Sequence, residues 1–195
     1  MSLIGQANHG GFQLYTLASQ VVTSKIPSSL SFEDAVVLPL ALSTAAAGLY
    51  ESHLLNLSYP SLTPQLTGQV IIVWGASSSV GSTAVQLAAA SGLKIVATAS
   101  SKNAAFVKGL GAAAVIDYHS SSLVEQVVQA VKATGAKFAG VYDAVGTGGW
   151  QDIVSQLGGG KVASVLPPPK NLPPGVSAYG CKFYAIYATL SLSHL

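Results

Sequence analysis

From Gly68 onward, apolar positions fall into short continuous runs that alternate with stretches of helical spacing. Gln69 to Trp74 (QVIIVW) is apolar almost throughout, the mark of a strand buried on both faces. Val80 to Ser91 follows at helical spacing and stops at Gly92. Lys94 to Thr98 (KIVAT) predicts a second strand, and Lys102 to Leu110 a second helix ending at Gly111. Ala114 to Asp117 (AVID) predicts a third strand, and Ser122 to Thr134 a third helix closed by Gly135. Phe138 to Asp143 (FAGVYD), a Gly-rich turn, Trp150 to Gln156 and Lys161 to Leu166 (KVASVL) continue the alternation. After the loop Pro167 to Pro174, the aromatic segment Tyr179 to Thr189 predicts a final strand. Strands alternating with helices of about ten residues imply β-α-β units and a parallel sheet with right-handed crossovers.

The stretch before Gly68 has a different texture. Phe12 to Ala18 and Gln20 to Thr23 alternate apolar and polar residues, as short strands do. Ser31 stands as a helix N-cap ahead of the apolar run Ala35 to Tyr50. That run is sixteen residues long and is interrupted by Pro39, Ser43 and Thr44. A membrane-spanning helix needs about 20 predominantly apolar residues, so a buried helix of a soluble protein is expected, with no membrane partner. Ser58 to Thr67 (SYPSLTPQLT) is a proline-punctuated loop leading into the first buried strand. Three parts are therefore expected: 1–30, 31–67 as a linking helix and loop, and 68–195.

Composition narrows the function. Half of the 195 residues are hydrophobic and only 8% are charged, against roughly 25% in an average domain. Disorder requires the reverse balance. The basic residues are nine lysines with no arginine, and net charge is +2, so no basic stripe for nucleic acid can be drawn. Cys181 stands alone, which excludes a disulfide scaffold and suits a reducing compartment. The first eleven residues lack the basic start and apolar core of a secretory leader, and a cytoplasmic location is expected. His9, His53, His119, His194 and Cys181 share no ligand spacing, so no metal site is expected.

The sharpest chemical feature is the turn Gly75-Ala76-Ser77-Ser78-Ser79-Val80-Gly81, which follows the first buried strand and opens a helix. Strand, small-residue turn and helix N-terminus together present outward N–H groups and a favourable dipole to a pyrophosphate. Against G-x-G-x-x-G, the first two glycines are replaced by Ala76 and Ser78, and only Gly81 remains. A tight turn without a ligand stays open as an alternative. The glycine spacing does not fit a nucleoside-triphosphate loop, which needs four intervening residues followed by Lys; here five intervene and Ser82 follows. Neither Ser77 nor Ser79 has the flanking glycines of a nucleophile elbow. A short-chain dehydrogenase needs Tyr with Lys four residues later, and none of the eight tyrosines has one. At the end of the second strand stand Ala99-Ser100-Ser101-Lys102-Asn103 with no acid, where an NAD-binding chain carries Asp or Glu for the ribose hydroxyl. Hydroxyls and a lysine suit a 2′-phosphate instead. Ser100 or Ser101 as a plain helix cap is the competing reading, and the two are compatible.

Taken together, "KIPSSLSFEDAVVLPLALSTAAAGLY", "VIIVWGASSSVGSTAVQLAAASGLKIVATASSKN", "GAAAVIDY" and "VYDAVG" resemble the medium-chain dehydrogenase/reductases. The resemblance is to their zinc-independent quinone-oxidoreductase and fungal enoyl-reductase-like branch. It implies a doubly wound Rossmann sheet of order 3-2-1-4-5-6 that binds NADP(H), with remnant strands of a catalytic domain over 1–30. By resemblance, Thr44 lines the nicotinamide pocket, Tyr118 lies near the adenine, and the strand end Asp143 to Gly146, with Val145 and Gly146 as its cofactor-binding residues, lies near the nicotinamide ribose. Val165 and Leu166 would offer backbone groups to the carboxamide. Ala41 departs from the family, where many quinone reductases carry a cofactor-contacting Thr. The implied reaction of the intact enzyme is hydride transfer to a small-molecule quinone or polarised C=C. The implied catalytic residues lie outside this stretch, so the chain reads as a fragment, and its low charge reads as a trace of surface normally covered. Homodimerisation through a last strand, Lys182 to Thr189, is also expected. A nucleotide-binding module without catalysis and an α/β interaction scaffold remain the alternatives.

Overall fold

The computed structural model describes residues 7–20 and 23–181. Two compact units divide between Leu38 and Pro39, and the second holds the described residues from Pro39 to Cys181. The second unit is built on six strands: β1 (Gln69–Trp74), β2 (Lys94–Ala99), β3 (Ala114–Asp117), β4 (Lys137–Asp143), β5 (Gly160–Ser164) and β6 (Val176–Gly180). All paired neighbours run parallel in the order β3-β2-β1-β4-β5-β6, as the sequence led us to expect. The order reverses between β1 and β4. In an open α/β sheet, that switch point opens a crevice at the C-terminal strand ends.

The period-2 geometry of the central strands sorts their side chains onto two layers. Ile71 and Val73 of β1 face one layer, with α2 (Leu38–Tyr50), α3 (Ser79–Ala90) and α4 (Ala104–Gly109). Val70, Ile72 and Trp74 face the other, with α5 (Leu123–Ala133) and α6 (Gln151–Gln156). Both faces of β1 are fully covered, which is why its sequence shows no alternation.

Several expectations need correction. Phe12 to Ala18 forms bends and coil rather than a strand, and neither Gln20 nor Thr23 lies in one. A strand needs a paired neighbour for its backbone groups. Here Leu17 N–H instead donates to Asn8 O and His9 Nδ1 contacts Leu17 O, while Phe12, Leu14, Tyr15 and Leu17 are all exposed. The apolar helix is divided: α1 (Phe32–Ala35) is capped by Ser31, and α2 begins only at Leu38. Pro39 has no N–H to give to the Ala35 carbonyl, so the helical ladder breaks there. By length and composition, the 19 residues Phe32–Tyr50 would suffice to cross a membrane. The expected buried helix is buried mainly in its second half: Ala45, Ala47, Gly48 and Leu49 are buried, and Leu54, Leu55 and Leu57 continue that packing, while Val36, Val37, Leu38, Leu40 and Leu42 are exposed. The expected fifth strand ends at Ser164, leaving Val165 and Leu166 beyond it, and β6 starts at Val176, earlier than expected. The dimerising strand expected over Lys182 to Thr189 lies outside the described residues.

Candidate functional site

The turn between β1 and α3 is held from below and capped from within. Thr98 of β2, 1% exposed, takes both leading amides: Gly75 N–H donates to its Oγ1 at 3.0 Å and Ala76 N–H to its carbonyl at 2.9 Å. Gly75 has φ +78°, a conformation that side chains disfavour, and a Cβ there would fall inside the Val145 side chain. Ser78 is the N-cap of α3: its Oγ accepts from Gly81 N–H at 3.0 Å and its hydroxyl donates to Gly75 O at 2.9 Å. A Cβ at Gly81 would collide with the Gly75 carbonyl oxygen, which is why that one glycine survives in the motif.

These bonds redistribute the roles expected from sequence. Ala76 is fully buried and its amide is engaged, so it shapes the turn without offering a donor. Ser78 uses its only hydroxyl proton inside the turn. Among the described residues, the amides of Ser77, Ser79 and Val80 and the hydroxyls of Ser77 and Ser79 have no hydrogen-bond partner. The Ser79 and Val80 amides lie in the first helical turn, where no intrahelical acceptor exists. A twelve-residue helix with free first-turn donors and no acid nearby in the turn fits a pyrophosphate.

The neighbouring strand ends hold a residue that sequence reasoning missed. Register places Ala99 of β2 beside Asp117 of β3, and Asp117 Oδ2 accepts the Ser101 N–H at 3.2 Å. Its Oδ1 takes the His119 backbone N–H and contacts His119 Nδ1, both at 3.0 Å. The backbone and ring N–H donors around it hold the Asp117 carboxyl below the usual carboxylate range. An acid does therefore reach the end of the second strand, supplied by the third. Neither Ser100 nor Ser101 makes a side-chain cap: Ser100 occupies the N-cap position of the short 3₁₀ turn Ser101–Asn103 without that bond. Lys102 is exposed and forms no ion pair among the described residues, and Tyr118 is half exposed with its ring 4.1 Å from that of His119.

On the other side of the switch point, Asp143 ends β4. It is fully buried and collects four donors: Val145 N–H and Gly146 N–H on Oδ1, Trp150 Nε1–H and Ser164 Oγ–H on Oδ2. Gly146 has φ +79°, and a Cβ there would lie 2.5 Å from Leu166 Cβ. Val165 N–H is engaged by Asp143 O at 3.0 Å, so its amide is not free for a ligand. Leu166 is exposed beside a cleft of about 250 Å³ that also includes Pro167, Gly180 and Cys181. Thr44, from α2, receives the Tyr142 hydroxyl on its carbonyl at 3.0 Å. Candidate residues thus come together along the C-terminal ends of β3, β2, β1, β4 and β5. A second cleft of about 180 Å³ lies at the opposite strand edge, and its single cation, the Lys94 ammonium, is bonded to Thr134 O.

Among the described residues, no nucleophile or metal centre emerges. Burial pushes the Cys181 thiol up to about 12, so it stays protonated at neutral pH. Among the described residues, no three His, Cys, Asp or Glu side chains cluster as ligands.

Residues 79–172 match the family model described as zinc-binding dehydrogenase. The chain is 42% identical over 180 residues to the trans-enoyl reductase himH of Aspergillus japonicus, covering 90% of this chain and 51% of that protein. It is 43% identical over 155 residues to the dehydrogenase pigH of Monascus ruber, covering 79% and 41%. The chain thus spans about half the length, or less, of these curated relatives. Among solved structures, the CurK enoyl reductase superposes with a TM-score of 0.64 at 22% identity, over 85% of this chain and 49% of that one. The quinone oxidoreductase of Thermus thermophilus, solved also with NADPH, superposes at 0.59 and 23% identity, over 86% and 52%. At those identities the likeness is one of fold. The family description names zinc, but the His, Cys, Asp and Glu side chains among the described residues do not form a donor set that fits that metal.

Proposed function

We propose that the chain is the NADPH-binding domain of a medium-chain dehydrogenase/reductase, an oxidoreductase that reduces a quinone or an enoyl or enone C=C. The observation that carries the reading is the set of Ser77, Ser79 and Val80 amides without an acceptor among the described residues, at a helix N-terminus beside the switch point, which fits a pyrophosphate. When bound, the reduced nicotinamide supplies the hydride. The chain's own residues bind and orient. First-turn donors of α3 hold the pyrophosphate, the Val145–Gly146 loop shapes the wall beyond it, and exposed Tyr118 offers a ring face to the adenine.

Preference for the 2′-phosphate is supported by the exposed Lys102 ammonium and the exposed Ser101 hydroxyl, whereas Ser100 is buried. Asp117 opposes this preference, because its carboxylate accepts the Ser101 N–H and brings negative charge to the same strand end, so Lys102 must outweigh it. Calorimetric titration tests both levels of the reading. NADPH is expected to bind at micromolar Kd or tighter, and NADH at least tenfold more weakly, about 1.4 kcal/mol. Equal affinities, or a preference for NADH, would overturn the phosphate assignment. Binding of neither would overturn the dinucleotide reading and favour an interaction scaffold.

A further inference from the structure

The geometry points to Asp143 as the positioning residue for the nicotinamide half of the groove. This rests on the dinucleotide reading and adds a residue to it. Asp143 is 0% exposed at the end of the central strand β4. Its four partners are all donors: Val145 N–H at 3.0 Å, Gly146 N–H at 2.8 Å, Trp150 Nε1–H at 2.9 Å and Ser164 Oγ–H at 3.2 Å. The three N–H groups can only donate, and with the Ser164 hydroxyl donating as well the Asp143 side chain serves the cluster as an acceptor on both oxygens. One side chain thereby ties together the β4–α6 loop, the start of α6 and the end of β5.

What it fixes is the position of Val145 and Gly146. Val145 packs so closely on Gly75 that no Cβ fits there, and Gly146 packs equally closely on Leu166. The loop is therefore wedged between the pyrophosphate turn and the cleft beside Leu166. The turn itself is held separately by Thr98 and Ser78. Releasing the loop should leave the adenosine side intact and deform only the side where the nicotinamide ribose is expected.

Two ligands separate the halves. Adenosine 2′,5′-bisphosphate carries the 2′-phosphate half and no nicotinamide, and NADPH carries both. In the wild-type chain, calorimetry should show NADPH binding more tightly than the bisphosphate. In Asp143→Asn, an amide N–H replaces one acceptor, and NADPH should weaken at least tenfold while the bisphosphate stays within twofold of wild type. Trp150→Phe and Ser164→Ala each remove one donor and keep the carboxylate. Each should weaken NADPH two- to threefold, again sparing the bisphosphate. These two variants carry the same prediction if Asp143→Asn fails to fold. Equal losses for both ligands, an unchanged NADPH affinity, or no NADPH advantage in wild type would overturn the assignment. If the wild-type chain binds neither ligand, the dinucleotide reading itself fails and takes the assignment with it.

Discussion

The two halves of the sheet edge are built on opposite plans. On the side of β1, β2 and β3, order is shared among several separate clasps: Thr98 holds the Gly75 and Ala76 amides, Ser78 caps the turn from within, and Asp117 takes the Ser101 N–H. On the side of β4 and β5, order depends on one buried carboxylate whose partners lie up to 21 residues away. The first half is redundant and solvent-facing. The second has a single centre, and its removal should be felt across three segments at once.

Substitutions can break or sharpen that contrast, beginning with the largest effect. Asp143→Leu leaves four donors facing an apolar side chain, two of them in the buried core. The expected loss is about 3–5 kcal/mol. That corresponds to a fall in Tm of roughly 10 °C by thermal melting, at about 2–4 °C per kcal/mol for this size. A loss below about 1 kcal/mol would show that the carboxylate is not the centre of that half. Gly81→Ala drives a Cβ into the Gly75 carbonyl oxygen, so α3 must move off the turn. A loss of about 1–3 kcal/mol is expected, with NADPH binding reduced in parallel. Unchanged melting would mean that the turn has slack.

Lys102→Ala should weaken NADPH about tenfold, or 1.4 kcal/mol, and leave NADH within twofold, as read by titration. A parallel loss for both cofactors would place Lys102 away from the 2′-phosphate. Glu51 tests the background against which both halves sit. Its two oxygens are buried with no hydrogen-bond partner among the described residues, and burial raises its pKa, with His53 opposing. An acid whose folded pKa is raised is least harmful when protonated, so its cost grows as pH rises through that pKa. Glu51→Gln should therefore stabilise the chain on the order of 1 kcal/mol at pH 7, with the gain vanishing below about pH 4. A pH-independent difference would contradict this. The smallest effect belongs to Asp117, whose lowered pKa makes its clasp on Ser101 present at neutral pH and lost as pH falls through the folded value. Carboxyl chemical shifts followed by NMR should give a midpoint below the ordinary 3.8. A midpoint at or above it would remove the clasp.

The same contrast explains what the sequence made legible. β1 and β2 announce themselves because both faces are covered and their residues run apolar, and Gly81 is readable because a backbone oxygen occupies the space of its side chain. Asp117 and Asp143 were harder to assign because their roles depend on register: Ala99 beside Asp117, and Asp143 beside Ser164. A single chain does not display those pairings. The available signal was an acid closing each of the strands AVID and FAGVYD, where a polar residue must find donors among its neighbours. The segment Phe12 to Ala18 misled for a related reason, since alternation specifies a strand only where a second strand is present to pair with it.

The central claim is that the C-terminal ends of β3, β2, β1, β4 and β5 form one continuous dinucleotide groove. It is tested most directly by following backbone amide chemical shifts as NADPH is titrated into the chain. The largest changes are predicted at Ser77, Ser79 and Val80, with coherent changes at Ser101, Lys102 and Tyr118 on one side and at Val145 and Gly146 on the other. Changes confined to the opposite strand edge around Gly92 and Thr134, or the absence of any change at Ser77 to Val80 at saturation, would contradict it.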